Sequence, residues 1–464
     1  MNTQDTICAI ATAQGGAIGV IRISGKDAIA ITDRIFTPVG KHPLPLSERK
    51  AYTMAFGHIR QDDGEIIDEV LIGLFKSPHS YTGEDCVEIS CHGSSFILPQ
   101  VMQLLIRKGC RAAGPGEFTQ RAFLNGKMDL SQAEAVADLI ASSSAATHRM
   151  AMNQMRGGFS RELSALRERL LHLTSLMELE LDFSDHEELE FADRSELETI
   201  AGDIEKVISG LVHSFSVGNV LKNGIPVAIV GETNAGKSTL LNTLLNEEKA
   251  IVSDIHGTTR DVIEDTVNLS GITFRFIDTA GIRDTHDTIE NMGIARSFHK
   301  MEQAEIVLWV VDNTCAEAQI RQLSPRILPL CSNKQLIILL NKSDQVSAVP
   351  TKLSGLPENT VTLSISAKEK TGIQELQNLL VKTASVPELT SSDLIVTNVR
   401  HYEALSLALE DIHRVQNGLQ THLSGDFISQ DLRECLFHLA EIVGGEITAD
   451  EVLGNIFMKF CIGK

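Results

Sequence analysis

The stretch GETNAGKS, at residues 231–238, has the residue types and the spacing that bind a phosphate chain. It fits the pattern GxxxxGK[ST], directly follows the apolar run IPVAIV and opens a predicted helix. The glycines let backbone N–H groups surround the phosphates, Lys237 can reach the outer phosphates, and Ser238 can ligate Mg²⁺. The stretch therefore predicts a nucleotide-binding loop between a strand and a helix.

Three further motifs extend this prediction, since each follows an apolar run of strand type. They are DTAG at residues 278–281, NKSD at 341–344 and SAK at 366–368. Open α/β sheets bind ligands at the carboxyl ends of their strands, so we expect the motifs to meet there. Asp344 can accept two hydrogen bonds from the N1 and N2 groups of guanine, which adenine cannot donate, so the predicted nucleotide is GTP. The predicted GTP-binding residues are Asn234, Ala235, Gly236, Lys237, Ser238, Thr239, Ser253, Thr258, Thr259, Asp278, Thr279, Ala280, Gly281, Asn341, Lys342, Asp344, Ser366, Ala367 and Lys368.

The chain departs from Ras-type GTPases where a Gln orients the attacking water, because Ile282 follows DTAG. Glu290, downstream in the second switch, could act on the water, although an exposed carboxylate at a helix start is the alternative interpretation. The side-chain oxygen of Asn234 could hold a monovalent cation where an arginine finger would place its charge. The stretch SDIHGTTRD, at residues 253–261, could form the first switch and give backbone carbonyls to that cation.

The stretch FMKFCIGK raises a separate question about Cys461. A prenylation signal has two aliphatic residues and one more residue after the Cys, but Gly463 and Lys464 do not suit it, and no polybasic stretch lies upstream. A buried thiol without a chemical role is one remaining interpretation, and a place in a site is the other. The preceding segment has helical apolar spacing, so we expect packing to fix where the tail leaves it.

These stretches need a scaffold, and the spacing of apolar residues changes along the chain. Short apolar runs such as IGVIRISG and CVEIS, separated by Gly, Pro and Asp turns, first predict a strand-rich α+β domain. Helical spacing follows, then strands alternate with helical segments as in a mostly parallel, doubly wound sheet, and then helices resume. We therefore expect a split helical domain with an inserted P-loop domain. The predicted boundaries are 1–126, 127–221, 222–387 and 388–464.

Two capping boxes are predicted in the helical regions, one of Ser131 with Glu134 and one of Thr448 with Glu451. Between them, five apolar residues recur at steps of three and four, so we expect one stripe to face a partner helix. The stripe consists of Leu163, Leu166, Leu170, Leu173 and Met177.

Composition limits the function classes. A net charge of −20 has the wrong sign for gripping nucleic acid along the whole surface, so any nucleic-acid role must be local. No cleavable N-terminal apolar stretch, no CxxC pair and no run of eighteen apolar residues occur, so we expect a cytoplasmic protein without a membrane role. Cys86, Cys91 and His92 match no usual zinc spacing, which favours a strand with core thiols.

Blocks from both ends and from the middle of the chain carry a resemblance to one family. They are NAGKS, GTTRDV, DTAGIR, NKSD, GVIRISG, TGEDCVEISCHG, PGEFTQRAFLNGKMDLSQAEAVADLI and CIGK. The chain resembles the MnmE (TrmE) family of tRNA-modifying GTPases over essentially its whole length. The GTPase motifs are shared with other GTPases, whereas the N-terminal blocks together with CIGK are specific to this family.

This resemblance implies an α/β plus α protein. Its parts would be an N-terminal α+β folate-binding domain similar to that of aminomethyltransferases, a split helical domain and an inserted Ras-like GTPase domain that dimerises with K⁺ and GTP. The family forms homodimers through its N-terminal domains and a heterotetramer with the flavoprotein MnmG. It modifies carbon 5 of the wobble uridine of certain tRNAs, with 5,10-methylenetetrahydrofolate as the one-carbon source and 5-formyltetrahydrofolate as an analogue.

The resemblance also implies roles for single residues. By matching motif positions, folate would be bound by Arg22, Glu88, Lys127 and Lys464, K⁺ by Asn234, Ser253, Ile255 and Thr258, and Mg²⁺ by Ser238 and Thr259, while Glu290 would act on the water. Cys461 would be catalytic beside the one-carbon unit or would line the folate pocket. A pterin needs a carboxylate such as Glu88 for its donor edge, and Arg22 and Lys127 could meet carboxylates. Taken singly, each of the three is also compatible with an ordinary surface or capping charge.

Two other functions remain compatible with the GTPase motifs. A ribosome-assembly GTPase would be a binding switch without substrate chemistry, and such proteins usually append a basic RNA-binding module, which we do not find in the sequence. A scaffold GTPase would control only the assembly of helix bundles. Folate binding by residues 1–126 would discriminate against both.

Overall fold

The structure is a computed structural model, and it divides the chain into two compact units. The residues that it describes are 5–13, 15–40, 43–182, 194–248, 265–277, 301–346, 356–357, 360–384, 394–445 and 463. The first unit comprises residues 1–141, 151–209 and 403–464, and the second comprises 142–150 and 210–402. The predicted domain boundaries stay a prediction, since the limits of these compact units lie at other positions and do not test them.

A seven-stranded sheet forms the N-terminal part of the first unit. Its strands are β1 (Ile7–Ile10), β2 (Ile18–Ser24), β3 (Phe36–Pro38), β4 (Thr53–Arg60), β5 (Ile66–Phe75), β6 (Cys86–His92) and β7 (Arg111–Ala112), in the order β3-β4-β5-β6-β2-β1-β7. Its helices are α1 (Ala28–Asp33), α2 (Ile97–Arg107) and α3 (Glu117–Leu124). Neighbouring strands are antiparallel except β1 and β7. One sheet face packs on α1 and α2, as the predicted α+β patterning requires.

Strand β6 confirms the prediction of a strand with core thiols. Cys86 and Cys91 are both buried on it, and Cys91 lies among the apolar side chains that join the sheet to α2. The ring of His92 instead donates through Nδ1 to Asp68 Oδ1 at 2.7 Å. Within the described ranges, no group of three metal-ligating side chains comes together.

The first helical stretch contains α4 (Leu130–Ala141), α5 (Ala145–Met155), α6 (Gly158–Asp182) and α7 (Arg194–Asn223). The capping box predicted at Ser131 and Glu134 is wrong by two residues. The backbone N–H of Gln132 donates to Asp129 Oδ1 at 2.9 Å, and that of Asp129 donates to Gln132 Oε1 at 3.0 Å. This reciprocal pair satisfies two of the N–H groups that the start of α4 would otherwise leave without a partner. Thr448 and Glu451 lie outside the described residues.

A six-stranded sheet forms the core of the second unit. Its strands are β8 (Ile225–Val230), β9 (Asp265–Leu269), β10 (Ile272–Phe276), β11 (Ile306–Asp312), β12 (Gln335–Asn341) and β13 (Val361–Ser364), in the order β13-β12-β11-β8-β10-β9. Its helices are α8 (Lys237–Glu248), α9 (Ala316–Ile327) and α10 (Ile373–Thr383). Helices α8 and α10 cover one face and α9 the other, which buries β11 on both sides. The predicted doubly wound, mostly parallel sheet is confirmed.

Strand β9 is the strand of this second sheet that the sequence analysis did not predict. It pairs antiparallel with β10 at the edge of the sheet. The two strands are joined by Ser270 and Gly271, which both have positive φ, 52° and 85°. Two positive φ values are typical of a tight hairpin turn, and Gly adopts them at little cost.

Helices α11 (Val399–Gln420) and α12 (Gly425–Val443) follow the second sheet along the chain. The five residues of the predicted stripe on α6 are all buried. Helix α12 is the principal partner of α6, and it buries Leu432, Cys435 and Leu439. The prediction that this stripe faces a partner helix is therefore confirmed.

Candidate nucleotide-binding site and the Arg22 cluster

The phosphate-binding loop connects β8 to α8, as its sequence pattern requires. Gly231 has a φ of +146°, and a Cβ there would lie 2.1 Å from the carbonyl oxygen of Val310. Gly236 has a φ of +98°, and a Cβ there would lie 2.1 Å from Asn341 Nδ2. No side chain fits at either position, so the two glycines allow the loop to lie against its neighbours.

Lys237 begins α8 and is held by the loop itself. Its Nζ donates to the carbonyl oxygens of Gly231, at 2.8 Å, and of Glu232, at 2.7 Å. The first turn of α8 adds free N–H groups and the positive end of the helix dipole. This arrangement of an ammonium group beside a helix N-terminus is suited to phosphate.

Asn341 joins this loop to the SAK motif at the carboxyl end of the sheet. Its Nδ2 donates to the carbonyl oxygen of Ala235 at 2.8 Å, and its Oδ1 accepts the backbone N–H of Ala367 at 3.0 Å. The side chain is buried, so both ends of the amide are used where water does not compete. Thr243 on α8 also donates to the carbonyl oxygen of Ala367, at 3.0 Å. The phosphate side and the base side of the site are thus directly connected.

Asp344 is exposed beside the SAK motif, where it can meet a base. One of its oxygens, Oδ1, accepts the hydroxyl of Ser366 at 2.6 Å. Since the hydroxyl fixes one carboxylate oxygen, the rotamer of Asp344 is defined by the fold. Lys368 is also exposed, and its Nζ lies 3.8 Å from Glu369.

Lys342 adopts a left-handed conformation with a φ of +64°, which non-glycine residues rarely do. Its Nζ donates to Asp312 Oδ2 at 2.5 Å. Burial alone would raise the pKa of Asp312, but hydrogen bonds from Lys342 and Thr314 outweigh it and hold the pKa below its usual value. Asp312 is therefore a carboxylate that keeps Lys342 at the edge of the site.

The structure brings together the predicted residues of the phosphate-binding loop, NKSD and SAK. The remaining predicted GTP, metal and water residues lie outside the described residues: Ser253, Ile255, Thr258, Thr259, Asp278, Thr279, Ala280, Gly281 and Glu290. Asn234 and Thr239 are described, and both are exposed on or next to the loop. Asn234 has a positive φ of 65°, so the chain turns sharply at this residue.

A second cluster of side chains lies at the N-terminal sheet, around the charged pair Arg22 and Glu88. It also contains Tyr81, Phe118 and Gly463, and we call these five residues the Arg22 cluster. Arg22 and Glu88 are opposite each other on β2 and β6. Arg22 Nε donates to Glu88 Oε1 at 2.9 Å, and Arg22 Nη2 forms an ion pair with the same oxygen at 2.8 Å. Its guanidinium carbon lies 5.5 Å from the ring centre of Tyr81 and 5.8 Å from that of Phe118. Two aromatic rings therefore hold the cation in place.

Gly463 brings the C-terminal tail to this cluster. Arg22 Nη1 donates to the carbonyl oxygen of Gly463 at 3.2 Å. Gly463 has a φ of +95°, and a Cβ there would lie 2.7 Å from the carbonyl oxygen of Ile10 and 2.9 Å from Ala11 Cα. Gly463 thus contacts the end of β1 in a conformation that only Gly adopts readily.

Of the other predicted folate residues, Lys127 donates to the carbonyl oxygen of Pro78 at 3.0 Å. Pro78 lies in the loop between β5 and β6, which also carries Tyr81. Lys464 and Cys461 lie outside the described residues. The sequence analysis missed Tyr81, Phe118 and Gly463. Tyr81 directly precedes the block TGEDCVEISCHG, and Phe118 lies in the block that begins with PGEF.

Comparisons with known proteins match this chain along its length. The sequence profile described as GTP-binding protein TrmE N-terminus matches residues 6–127, and the profile described as MnmE helical domain matches residues 130–461. The tRNA modification GTPase MnmE of Bacteroides thetaiotaomicron is 66% identical over 467 residues, which cover 99% of this chain and 100% of the relative. That of Flavobacterium johnsoniae is 52% identical over 473 residues, which cover 100% of both.

The chain belongs to the MnmE family of tRNA modification GTPases. Two solved structures resemble part of the chain. A crystal structure of Aquifex aeolicus Era bound to GDP and AlF₄⁻ is 28% identical, covers 40% of this chain and 66% of its own, and has a TM-score of 0.27. The G-domain of Methanococcus jannaschii FeoB is 24% identical, covers 34% of this chain and 97% of its own, and has a TM-score of 0.26.

Membership of the MnmE family favours tRNA modification over the ribosome-assembly and scaffold alternatives. Among the described residues, no helix is long and apolar enough to cross a membrane.

We expect Asp344→Asn to change the base preference of this MnmE family member. Asparagine keeps the shape of Asp344 but replaces one acceptor oxygen by a donor, which opposes the N1 and N2 donors of guanine and suits the C2 carbonyl of xanthine. The affinity for GTP should fall about 100-fold or more, while xanthosine triphosphate should bind more tightly than it does to wild type. Titration with fluorescent derivatives of both nucleotides measures this. The gain of affinity for xanthosine triphosphate is the control, because an unfolded variant would lose affinity for both nucleotides. If Asp344→Asn bound GTP with wild-type affinity, Asp344 would not recognise the base.

Proposed function

We propose that this protein is a K⁺-dependent GTPase that acts with the flavoprotein MnmG on tRNA. In this proposal, the pair modifies carbon 5 of the wobble uridine, in a carboxymethylaminomethyl or aminomethyl reaction, and 5,10-methylenetetrahydrofolate supplies the one-carbon unit. The observation that carries the proposal is the Arg22 cluster, since a GTPase that is only a switch has no need of it. The chain places this cluster on a different unit from the nucleotide site.

The nucleotide site supports GTP binding, because different groups would bind the phosphates and the base. The loop N–H groups, Lys237 and the start of α8 bind the phosphates, and Asp344 selects guanine. Ser238, which follows Lys237 on α8, would hold Mg²⁺ together with Thr259. Ser238 contributes a hydroxyl oxygen, which is a suitable ligand for this hard cation.

The exposed position of Asn234 supports a site for K⁺. Asn234 is exposed and lies where the loop turns at positive φ. In the proposal, Ser253, Ile255 and Thr258 complete the coordination of K⁺ with oxygen atoms. The positive charge would then stand where an arginine finger acts in other GTPases, and Glu290 would orient the attacking water.

The Arg22 cluster fits a reduced folate by the chemistry of its donor set. Both contacts from Arg22 use Oε1 of Glu88, and 32% of the Glu88 side chain is exposed, so Oε2 can accept the donor edge of a pterin. Arg22, Lys127 and Lys464 are the cations that the glutamyl carboxylates of folate require. Cys461 would lie two residues from Gly463, as nucleophile, proton donor or pocket wall.

The open face of the N-terminal sheet supports the proposed homodimer. Phe56 on β4 and Leu71 on β5 are opposite each other, and 45% and 43% of their surfaces are exposed. Met54, two residues from Phe56, is 64% exposed. Contiguous apolar side chains of this kind favour association with another protein surface.

The charge balance supports the proposed partnership with MnmG. With a net charge of −20, this chain is poorly suited to hold tRNA alone. A heterotetramer of two copies of each protein would let the partner contribute most contacts with the tRNA backbone.

We expect tRNA from cells that lack this protein to carry unmodified wobble uridines. Mass spectrometry of nucleosides from purified tRNA measures the loss, and expression of the wild-type chain should restore the modification. Other modified nucleosides in the same samples are the control for tRNA quality. Unchanged wobble nucleosides would refute the proposed function, whatever the GTPase activity.

GTP hydrolysis should be faster in KCl than in NaCl at equal ionic strength. An arginine finger raises the rate of hydrolysis ~10³–10⁵-fold. A K⁺ ion in the same place should raise the rate at least about tenfold. Asn234→Ala should remove the difference between the salts, and Glu290→Ala should bind GTP normally but hydrolyse it slowly in both. Equal wild-type rates in KCl and NaCl would exclude the role of K⁺.

Gly463→Ala should weaken folate binding and wobble-uridine modification and leave GTP hydrolysis unchanged. The added Cβ would overlap the backbone of β1, so the tail must leave its place, and we expect about tenfold weaker binding of 5-formyltetrahydrofolate. Isothermal titration and nucleoside mass spectrometry in complemented cells measure the two effects.

Gly445→Ala is the matched control, because the nearest atom to a Cβ there is 3.7 Å away. In the same assays, Cys461→Ser should lower modification while it preserves folding and dimerisation. Wild-type folate binding by Gly463→Ala would show that the tail position does not matter for this ligand.

A further inference from the structure

The end of β11 is where the sheet and the phosphate-binding loop separate. Strand β11 pairs with β8 only as far as Trp309 opposite Val230. Beyond that point the β8 chain becomes the loop, while β11 continues to Asp312. The backbone N–H of Asp312 therefore needs a partner other than β8.

Gln319, in the first turn of α9, fills this position. Its Oε1 accepts the backbone N–H of Asp312 at 2.9 Å, and its Nε2 donates to Glu232 Oε2 at 2.9 Å. The side chain is 8% exposed. A neutral amide is the group that can accept on one side and donate to a carboxylate on the other.

Both residues that Gln319 contacts hold a lysine of the nucleotide site. The carbonyl oxygen of Glu232 accepts the ammonium group of Lys237 at 2.7 Å. The carboxylate of Asp312 accepts that of Lys342 at 2.5 Å. One buried amide thus fixes the supports of the phosphate-side lysine and of the base-side lysine.

We propose that Gln319 is a positioning residue for nucleotide binding, which acts through Glu232 and Asp312 rather than by contact with the nucleotide. It keeps the carboxylate of Glu232 turned towards α9. It also holds the end of β11 at a fixed distance from the phosphate-binding loop. Loss of this bridge loosens both lysines together and makes the nucleotide dissociate faster.

The decisive variant is Gln319→Glu, which keeps the shape and places a carboxylate against that of Glu232. We expect about tenfold faster dissociation of mant-GDP and a similar rise in the KM for GTP, with a smaller change in kcat. A loss of folded protein would instead lower the apparent kcat and leave KM unchanged. Gln322→Glu is the matched control, since it makes the same change at an exposed position of α9.

The exchanged pair Glu232→Gln with Gln319→Glu tests the partnership. In this double variant the amide donates from position 232, and the carboxylate at 319 accepts both that donor and the N–H of Asp312. Dissociation of mant-GDP should return towards the rate of Glu232→Gln alone. Gln319→Met, which removes both hydrogen bonds without adding charge, replaces the first variant if that one does not fold.

Two results would overturn the proposal. One is a Gln319→Glu rate within about twofold of that of Gln322→Glu, the range expected of a surface change. The other is a double variant as fast as Gln319→Glu, which would show that Glu232 is not the partner. If Gln319→Met is the variant used, wild-type mant-GDP dissociation refutes the proposal equally.

Discussion

The nucleotide unit depends on one buried amide, the side chain of Asn341. It lies at the carboxyl end of β12, where it connects the phosphate-binding loop to the SAK motif. It also occupies the space beside Gly236, so closely that no side chain fits there. The glycines, the strand order and the asparagine therefore form one constraint, because a change in any of them moves the phosphate side relative to the base side. A buried amide left without one partner costs about 1–3 kcal/mol, which makes this connection specific as well as stable.

The two sites of the chain are built on different physical principles. The nucleotide site uses backbone groups at loop ends, which the parallel sheet gathers at one edge. The Arg22 cluster uses side chains that face each other across antiparallel strands, with aromatic rings beside the cation. The first arrangement serves a polyanion that is common to all GTPases, and the second suits a ligand with both donor and acceptor edges.

The sequence predicted the nucleotide unit well because its signals are local. GETNAGKS, NKSD and SAK each follow a buried strand, and such positions are fixed by the topology of a parallel sheet. Strand β9 was missed since it is only five residues long and has only two apolar residues, Val267 and Leu269, although the dipeptide Ser270–Gly271 is a hairpin signal. The capping box was placed wrongly because Asp129 with Gln132 and Ser131 with Glu134 both fit the pattern. The contacts of Gln319 and Gly463 join distant parts of the chain, and no local pattern encodes them.

The contact between Arg22 and Gly463 spans 441 residues of sequence, and the whole nucleotide unit lies between them. At a synthesis rate of 5–20 residues per second, Arg22 is added to the chain roughly 20–90 s before Gly463. During that time the N-terminal sheet and the inserted unit can both fold, while the Arg22 cluster still lacks Gly463. A chain interrupted in the second helical stretch would then keep its nucleotide-binding motifs and lack the completed cluster. The cluster is therefore completed late in the synthesis of the protein. The order of residues along the chain determines this timing, and the stability of either unit does not.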